Sequence, residues 1–401
     1  MNNLFKFVFL SFLSFAIFTS CNDDPSSNGL NLIPDQDKIK FGEYNTDSAK
    51  AQQSSHFYET NEVLGLSSRL IIGKNDYAES SLLFQFTVYL PDSIKEYIKN
   101  NEATVERAWI KLLPLYSLGD KTEPFNFSVH KILSKWSSLG FDRDSLEIYG
   151  SSFYDAADVA ISKVVNQSDS TFQFDLDQQL VFDWLRYISD TTQTSLKYHG
   201  IIVKPNVTNS YIGVGSSQAN SDSAQPHLTI VLKKSSNDRD TLTVTPYMDT
   251  HVFTGTVPQE ENKIYLEGSY PLRGFLFFDL SSLTKDLIVS RAMLELTVDE
   301  SKTTDGAQKS DTIMVRMLKD STAKTFTSDS LIVSYLSRSD NVYSGDISWM
   351  VQRWLQGTAN QGVALELFDE QTSAARIALY GSKEANLSLR PRIKIIYSRK
   401  K

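Results

Sequence analysis

The feature that most constrains the fold of this chain is an internal repeat, in which short alternating segments recur in the same order. Residues 105–112 (VERAWIKL) and 289–296 (VSRAMLEL) open almost identically, and apolar and polar positions alternate in both. The segments before them, residues 82–86 (LLFQF) and 275–279 (FLFFD), also correspond. Because successive side chains of a strand point to opposite faces, this two-residue period predicts half-buried strands.

Further correspondences follow in the same order along the two copies. They pair residues 126–130 with 312–316, 174–185 with 345–355, 200–203 with 362–365, 212–217 with 378–383, and 226–230 with 391–395. Chance similarity among strand sequences would not preserve this order, so we predict two copies of one unit. The predicted boundary lies within residues 235–240, between a first domain over 39–233 and a second over 241–398. An insertion over residues 139–170 explains most of the extra length of the first copy.

The connections between these segments also indicate the fold class. Gly, Asn, Asp and Ser separate the short alternating runs, which is typical of β-sandwiches. Helical spacing of apolar residues is rare, and residues 92–100 and 179–188 are the two candidate helices. We therefore predict an all-β fold of two tandem β-sandwich domains.

The first 21 residues have the pattern of a lipoprotein export signal. Lys6 precedes a mostly apolar run at 7–18, which is too short for a membrane-spanning helix, since such a helix needs about 20 residues. The tetrapeptide FTSC at 18–21 resembles the lipobox, where signal peptidase II cuts before a lipidated cysteine. We predict a signal peptide over 1–20 and a lipid on Cys21, the only cysteine of the chain. A buried free thiol is the alternative.

Residues 21–38 begin with a polar stretch that is rich in turn-forming residues. This composition predicts a flexible tether between the lipid and the folded part. Asp23 and Asp24 follow the cysteine closely and resemble the surface-export signal of Bacteroidetes lipoproteins, although a simple soluble linker has the same composition. The predicted localisation is the outer membrane or the cell surface, with the membrane itself as a partner through the lipid.

The overall charge and the supply of metal-binding residues disfavour several function classes. The net charge is −8 at pH 7, whereas nucleic acids and anionic lipids need a basic patch. Five histidines and one cysteine supply few ligands for a transition-metal site, so we predict no metal or other cofactor. A structural calcium ion is the alternative. The sequence has no H-E-x-x-H, G-x-S-x-G or Walker motif, and we predict that the protein is not an enzyme.

The second copy resembles a known family. Residues 274–283 (GFLFFDLSSL) are similar to a strand of the DNRLRE domain family, which is related to alginate-binding carbohydrate-binding modules. The resemblance continues through residues 346–351, 354–355, 360–365, 381–384 and 390–393. It is weaker in the first copy, where Gln85 replaces the Asp of the second. This resemblance implies a jelly-roll-like β-sandwich that accompanies secreted polysaccharide-active enzymes or cell-surface proteins, and it does not imply catalysis.

Candidate glycan-binding residues are basic and aromatic side chains on predicted loops, because the carboxylates of alginate and similar sugars need Arg or Lys. They are Arg273, Arg376, Tyr380, Lys383 and Arg390 in the second copy, and Tyr211 and His227 in the first. For each of them an ordinary surface residue is the alternative.

Two tryptophans recur at corresponding positions, Trp184 and Trp354. An exposed aromatic ring can stack on a sugar, but their apolar neighbours at helical spacing favour a place in the core. Asp279 and Asp346 stand at strand ends two residues before a serine, and we expect them to cap turns rather than act as acids.

The function predicted from these observations is a non-catalytic, lipid-anchored envelope protein that binds glycan or another envelope component. A structural or protein-binding adhesin without carbohydrate affinity is the alternative.

Overall fold

The protein is described by a computed structural model. The described residues are 34, 38–119, 124–166, 171–193, 195–196, 198–206, 209–257, 260–268, 270, 272–306, 308–326 and 333–400. The predicted signal peptide, Cys21 and nearly all of the predicted tether lie outside this set. Within the described part of the chain, no helix combines the length and the apolar character that a membrane crossing requires.

Antiparallel strands dominate the structure, with 48% of the residues in strands and 13% in helices, so the all-β prediction is confirmed. The strands of the first copy are β1 Ile39–Asn45, β2 Gln53–Glu59, β3 Arg69–Lys74, β4 Ala78–Phe86, β5 Ala103–Leu112, β6 Pro114–Gly119, β7 Phe127–Lys131, β8 Ala160–Asn166, β9 Thr171–Leu176, β10 Ile201–Pro205, β11 Ser210–Gly215 and β12 His227–Lys234. Those of the second are β13 Arg239–Val244, β14 Pro246–Gly255, β15 Lys263–Glu267, β16 Leu272–Phe278, β17 Ile288–Thr297, β18 Thr312–Asp320, β19 Thr325–Phe326, β20 Ser334–Ser339, β21 Val342–Asp346, β22 Val363–Leu367, β23 Arg376–Tyr380 and β24 Arg392–Lys400.

Within the described ranges, four short α-helices accompany the strands: α1 Asp92–Lys99, α2 Arg143–Tyr149, α3 Gln178–Ser189 and α4 Ser348–Leu355. The two helices predicted from apolar spacing are confirmed as α1 and α3. Asp177 starts α3 because its carboxylate accepts a hydrogen bond from the backbone N–H of Leu180 at 2.8 Å. This helix buries Trp184 in the core, as predicted.

The strands form two β-units, each around its own apolar core. The first β-unit consists of a seven-stranded sheet, ordered β6-β11-β3-β4-β10-β7 with β14 also on β4, and a five-stranded sheet, ordered β13-β12-β5-β9-β8. The second is a single twelve-stranded sheet, in which the main path runs β1-β24-β17-β21-β20-β18-β22-β16-β15-β23. Val298, just after β17, bridges to Leu379 in β23 at the far end of that path, so the sheet curls back on itself.

The segments matched between the copies form elements of the same kind in the same order. For example, β4 corresponds to β16, β5 to β17, α3 to α4 and β10 to β22. Gly200 and Gly362 precede β10 and β22, with φ of 87° and 80°. A Cβ at Gly200 would stand 1.9 Å from the carbonyl oxygen of Phe84, and one at Gly362 would stand 2.6 Å from that of Leu276. Both copies therefore need glycine at this point for the same geometric reason.

The first two strands of each copy pair with the other copy. β1 pairs with β24 and β2 with β16, so residues 39–59 complete the second β-unit. In the same way β13 pairs with β12 and β14 with β4, so residues 239–255 complete the first. This exchange differs from the predicted boundaries, which assigned 39–59 to the first domain and 241–255 to the second.

The two β-units also pack against each other through equivalent strands. An apolar cluster joins Ile71 of β3 and Tyr211 of β11 to Tyr265 of β15 and Ala378 of β23. Because β3 corresponds to β15 and β11 to β23, the same surface of each copy is used. The side chains of these strands that point away from the core of their own β-unit are buried between the two β-units.

Candidate functional site

The second β-unit presents one sheet face on the side away from its core, formed by β2, β16, β22 and β18 in that order. Alternation along β16 sends Leu276 and Phe278 into the core. The intervening residues Arg273, Phe275 and Phe277 therefore lie on the opposite side, which we call the outer face.

One row of side chains crosses the outer face through strand pairing. Tyr58 is paired with Arg273, and Glu366 is paired with Met314, which is paired in turn with Tyr335. Side chains directly opposite on neighbouring strands lie close enough to interact. The row thus brings together residues that are far apart in sequence, with Arg273 and Glu366 at its centre and a tyrosine at each end.

A second row on the same face is more apolar. His56 is paired with Phe275, and Ala364 is the partner of Phe275 on the other side. The His56 ring stacks on Phe275 with 4.6 Å between the ring centroids. Nζ of Lys324, from the turn between β18 and β19, lies 4.2 Å from the Phe275 centroid. The ammonium group of Lys324 therefore covers this part of the outer face. Burial lowers the pKa of Lys324.

Arg273 is held by carboxylates on three sides. Its Nε and Nη2 donate to the two carboxylate oxygens of Glu370 at 3.0 and 2.8 Å, and Nη2 also donates to Glu62 at 2.6 Å. Its Nη1 lies 3.8 Å from Oε1 of Glu366. Burial opposes the charge of Arg273, but the hydrogen bonds and charges of Glu370, Glu366 and Glu62 outweigh it and raise the pKa of the guanidinium.

Beside Arg273 the outer face opens into a cavity of about 310 Å³, which we call the trough. The Phe368 side chain is 63% exposed and that of Tyr335 is 48% exposed, and their rings meet edge to face with 6.1 Å between centroids. The trough is lined by Arg273, Met314, Arg316, Glu366, Leu367, Phe368, Asp369, Glu370, Gln371 and Thr372. Aromatic and ionic groups thus border one cavity.

Two buried polar atoms of trough residues make no hydrogen bond. They are Oε1 of Glu366, an acceptor, and Nε of Arg316, a donor. The Arg316 Nε lies 3.3 Å from the other carboxylate oxygen of Glu366, so the two side chains form an ion pair, although not a well-directed hydrogen bond. Buried polar groups without partners are rare in folded proteins, and they call for an explanation at each place.

The corresponding face of the first β-unit is covered by the insertion of that copy and by Trp136 just before it. Leu83 of β4 and Ile202 of β10 pack under Trp136, Phe141 and Phe153 in one buried cluster. The indole Nε1 of Trp136 donates to the carbonyl of His199 at 2.8 Å, which fastens this cover to the unit. Of the two equivalent faces, the second is therefore the one that offers polar and aromatic groups to a ligand.

Only Arg273 of the residues predicted from the sequence lines the trough. Tyr211 and Arg376 lie at the contact between the β-units, where Tyr211 donates to the carbonyl of Ala78 at 2.7 Å. Arg376 pairs with the buried Glu267 and its guanidinium lies 3.2 Å from the centroid of the Tyr77 ring.

The other four predicted residues lie apart from the trough. Nζ of Lys263 lies 3.6 Å from the Tyr380 ring centroid, Lys383 pairs with exposed Glu261, and Arg390 donates to the carbonyl of Glu384. His227 lies at the start of β12 and is paired with Lys111. The structure does not bring the seven predicted residues into one site. The prediction that they lie on loops is wrong for five of them, since Arg273, Arg376, Tyr380, Tyr211 and His227 lie in strands.

The expected turn caps are confirmed. Asp279 accepts from the N–H of Ser281 at 2.9 Å, and Asp346 accepts from that of Ser348 at 2.7 Å. The second tryptophan, Trp354, packs against the core but also borders a cavity of about 330 Å³ that includes Phe277 and Asp279. Its indole Nε1 is buried without a hydrogen-bond partner.

No model of a known protein family matches this chain, and no curated protein matches it at a significant level. The resemblance to the DNRLRE family therefore rests on the motifs quoted above. In the part of the chain that the structure describes, no three His, Cys, Asp or Glu side chains come together as a metal-ion site would need.

Proposed function

We propose that this chain is a lipid-anchored envelope protein of the outer membrane or cell surface, and that the trough of its second β-unit binds glycan. In this proposal both β-units are jelly-roll-like sandwiches of the DNRLRE type, and the lipid on Cys21 displays them at the membrane. The observation that carries the binding proposal is the trough itself, where exposed Phe368 lies beside Arg273 and Glu366 and its ring contacts that of exposed Tyr335.

Sugars offer two kinds of surface, and the trough offers a counterpart to each. The C–H groups of a pyranose ring pack against aromatic rings, whereas its hydroxyls need directed donors and acceptors. Phe368 and Tyr335 provide the rings, and Arg316 and Glu366 provide a donor and an acceptor nearby. This combination supports carbohydrate more than an apolar ligand.

The same geometry supports binding rather than catalysis. A glycosidase needs one carboxyl group that is free to donate a proton and a second that is free to attack or to activate water. Both carboxylate oxygens of Glu370 accept from Arg273, and Glu366 is ion-paired with Arg316. Asp369, the third carboxylate of the trough, accepts from the hydroxyl of Ser310. Glu366 and Glu370 are thus held by arginines as acceptors, which suits the recognition of hydroxyls.

A protein partner is the second candidate function, and an edge strand favours it. Among the described strands, β8 ends the five-stranded sheet and pairs only with β9. Ile161 and Val164 on this strand are 64% and 51% exposed. An unpaired strand edge with apolar side chains can accept a strand from another chain.

Affinity electrophoresis of the purified full chain through gels that contain polysaccharide tests the glycan proposal. We expect retardation by at least one polysaccharide, and Phe368→Ala should weaken the affinity about tenfold, or about 1.4 kcal/mol. Tyr89→Ala is the matched control, because Tyr89 is an 82% exposed aromatic residue of the first β-unit. Absence of retardation across neutral and acidic polysaccharides would favour the adhesin alternative, and release of sugar products would refute a purely binding role.

A further inference from the structure

We infer that the trough selects neutral, hydroxyl-rich glycans and discriminates against acidic ones. This inference rests on the proposed glycan binding and adds the chemical class of the ligand. It follows from the charges that line the trough and from the two polar atoms there that lack hydrogen bonds.

The arginines of the trough are not available to an anionic ligand, because carboxylates already neutralise them. Arg273 is held by Glu370 and Glu62, and Arg316 is ion-paired with Glu366. Recognition of a sugar carboxylate relies on an unopposed Arg or Lys. Acidic groups outnumber guanidinium groups here, since Asp369 also lines the cavity, where it accepts from the hydroxyl of Ser310 at 3.0 Å.

A further negative charge would therefore enter next to carboxylates in a partly desolvated cavity. Glu366 is 2% exposed and Glu370 is 6% exposed, so water screens them weakly. Like charges at such places repel more strongly than on an open surface. A uronic acid would have to displace one carboxylate from its arginine, whereas a neutral sugar leaves every ion pair in place.

The two trough atoms without hydrogen-bond partners indicate which ligand groups suit the trough. Oε1 of Glu366 lacks a donor, and Nε of Arg316 lacks an acceptor. A hydroxyl group is both a donor and an acceptor, so sugar hydroxyls that reach these two buried atoms can satisfy both. A ligand carboxylate would have to compete with Glu366 for Arg316 and has no donor for Glu366, whereas an ammonium group has no acceptor for Arg316.

The exposed rings give the ligand its second contact. Phe368 follows Glu366 by two residues on the same side of the chain, and it meets Tyr335 edge to face. A sugar that places hydroxyls over the floor of the trough can rest a ring face on Phe368. An extended neutral polysaccharide would continue along the outer face across β18 and onto the neighbouring strand β20.

Titration calorimetry on the full chain distinguishes the ligand classes. The probes are neutral glucan, mannan and xylan oligosaccharides on one side, and alginate and polygalacturonate oligosaccharides on the other. We expect at least one neutral probe to bind at least tenfold more tightly than either acidic probe. The neutral affinity should change less than twofold between 50 and 500 mM salt, since no net charge is paired on binding.

Glu366→Gln keeps the shape of the side chain and removes its charge. We expect this variant to lower the neutral-to-acidic affinity ratio at least tenfold, because Arg316 loses its counter-charge. Glu106→Gln is the matched control, since Glu106 pairs with Arg239 on the surface of the first β-unit. Thermal melting of each variant checks that it folds, and Phe368→Ala, which alters an exposed side chain, gives an independent probe of the trough.

The outcomes separate this inference from the proposed function. Tighter binding of acidic probes would overturn the selectivity while leaving glycan binding in place. Binding of neither class would overturn both. Neutral binding that is unchanged by both Glu366→Gln and Phe368→Ala would place the ligand elsewhere on the protein and so overturn the role of the trough.

Discussion

The exchange of strands between the two copies predicts which part of the chain depends on residues 39–59. A chain that begins at residue 60 lacks β1 and β2, which pair with β24 and β16 of the second β-unit. We expect this truncation to unfold the second β-unit and to leave the first one folded. The boundaries read from the repeat predict the opposite, since they place residues 39–59 in the first domain.

The size of the effect can be estimated from the pairing. β1 and β2 each form seven residue pairs with their partner strands, and a backbone hydrogen bond stabilises by about 0.5–1.5 kcal/mol net. Together the lost bonds are worth on the order of 10 kcal/mol, which is comparable to the whole stability of a typical domain, about 5–15 kcal/mol. Tyr44 and Phe57 would also leave the edge of the second core.

A permuted chain supplies the control. Ile39 is paired with Lys400, so an Asn-Gly turn after residue 400 can lead directly into residues 39–59 as a hairpin. In this chain, 60–400 followed by Asn-Gly and 39–59, the two strands return to the same places with new connectivity. We expect it to regain the cooperative unfolding of the second β-unit.

Limited proteolysis with mass spectrometry identifies the folded part. The truncated chain should yield a protected fragment that contains residues 69–255, while residues 260–400 are digested; the permuted chain should protect both. Protection of 260–400 in the truncated chain, or failure of the permuted chain to restore it, would refute the reasoning from strand exchange.

Three further predictions concern other parts of the molecule. Cys21→Ala should move the protein from the membrane to the soluble fraction, which cell fractionation checks, and unchanged membrane retention would contradict the lipid anchor. Trp136→Ala should destabilise the first β-unit by about 3–5 kcal/mol in denaturant unfolding, because it opens the apolar cover over β4 and β10; a loss below 1 kcal/mol would contradict that cover. Burial raises the pKa of Asp249 to about 6, although hydrogen bonds from Ser217 oppose this, so its contribution to stability is complete below pH 4 and is lost as the pH rises through 6. Asp249→Asn should therefore gain up to about 3 kcal/mol relative to the unsubstituted chain between pH 4 and pH 7, and a pH-independent difference in unfolding free energy would refute the assignment.

Local features of the fold could be predicted from the sequence because each depends on near neighbours along the chain. The alternation in residues 105–112 predicts a strand, and the spacing around Trp184 predicts a helix that buries the indole. Asp279 and Asp346 cap turns through contacts two residues away. The segments matched between the copies also form matching elements, because equal patterns satisfy equal local rules.

The candidate site could be predicted only in part. Arg273 is predicted as a basic loop residue, although it lies within β16, and the sequence analysis does not predict Arg316, Glu366 or Phe368. They reach the trough through the register of β16, β22 and β18, and no local pattern encodes that register. The alternation along β16 provides one signal for the site. Arg273 and Phe275 lie on the outer side of this strand, whose inner side is wholly apolar.

The sequence by itself determined the alternation of apolar residues, the turns and the repetition of the unit, since these follow from chemistry within a few residues. The tertiary structure decided which β-unit the first two strands of each copy join, because β2 and β14 pair with strands of the other copy that lie far away in sequence. It also decided which outward faces are buried. Packing between β-units covers Tyr211 and Arg376, the insertion covers the face of the first unit, and the face that holds the trough remains for a ligand.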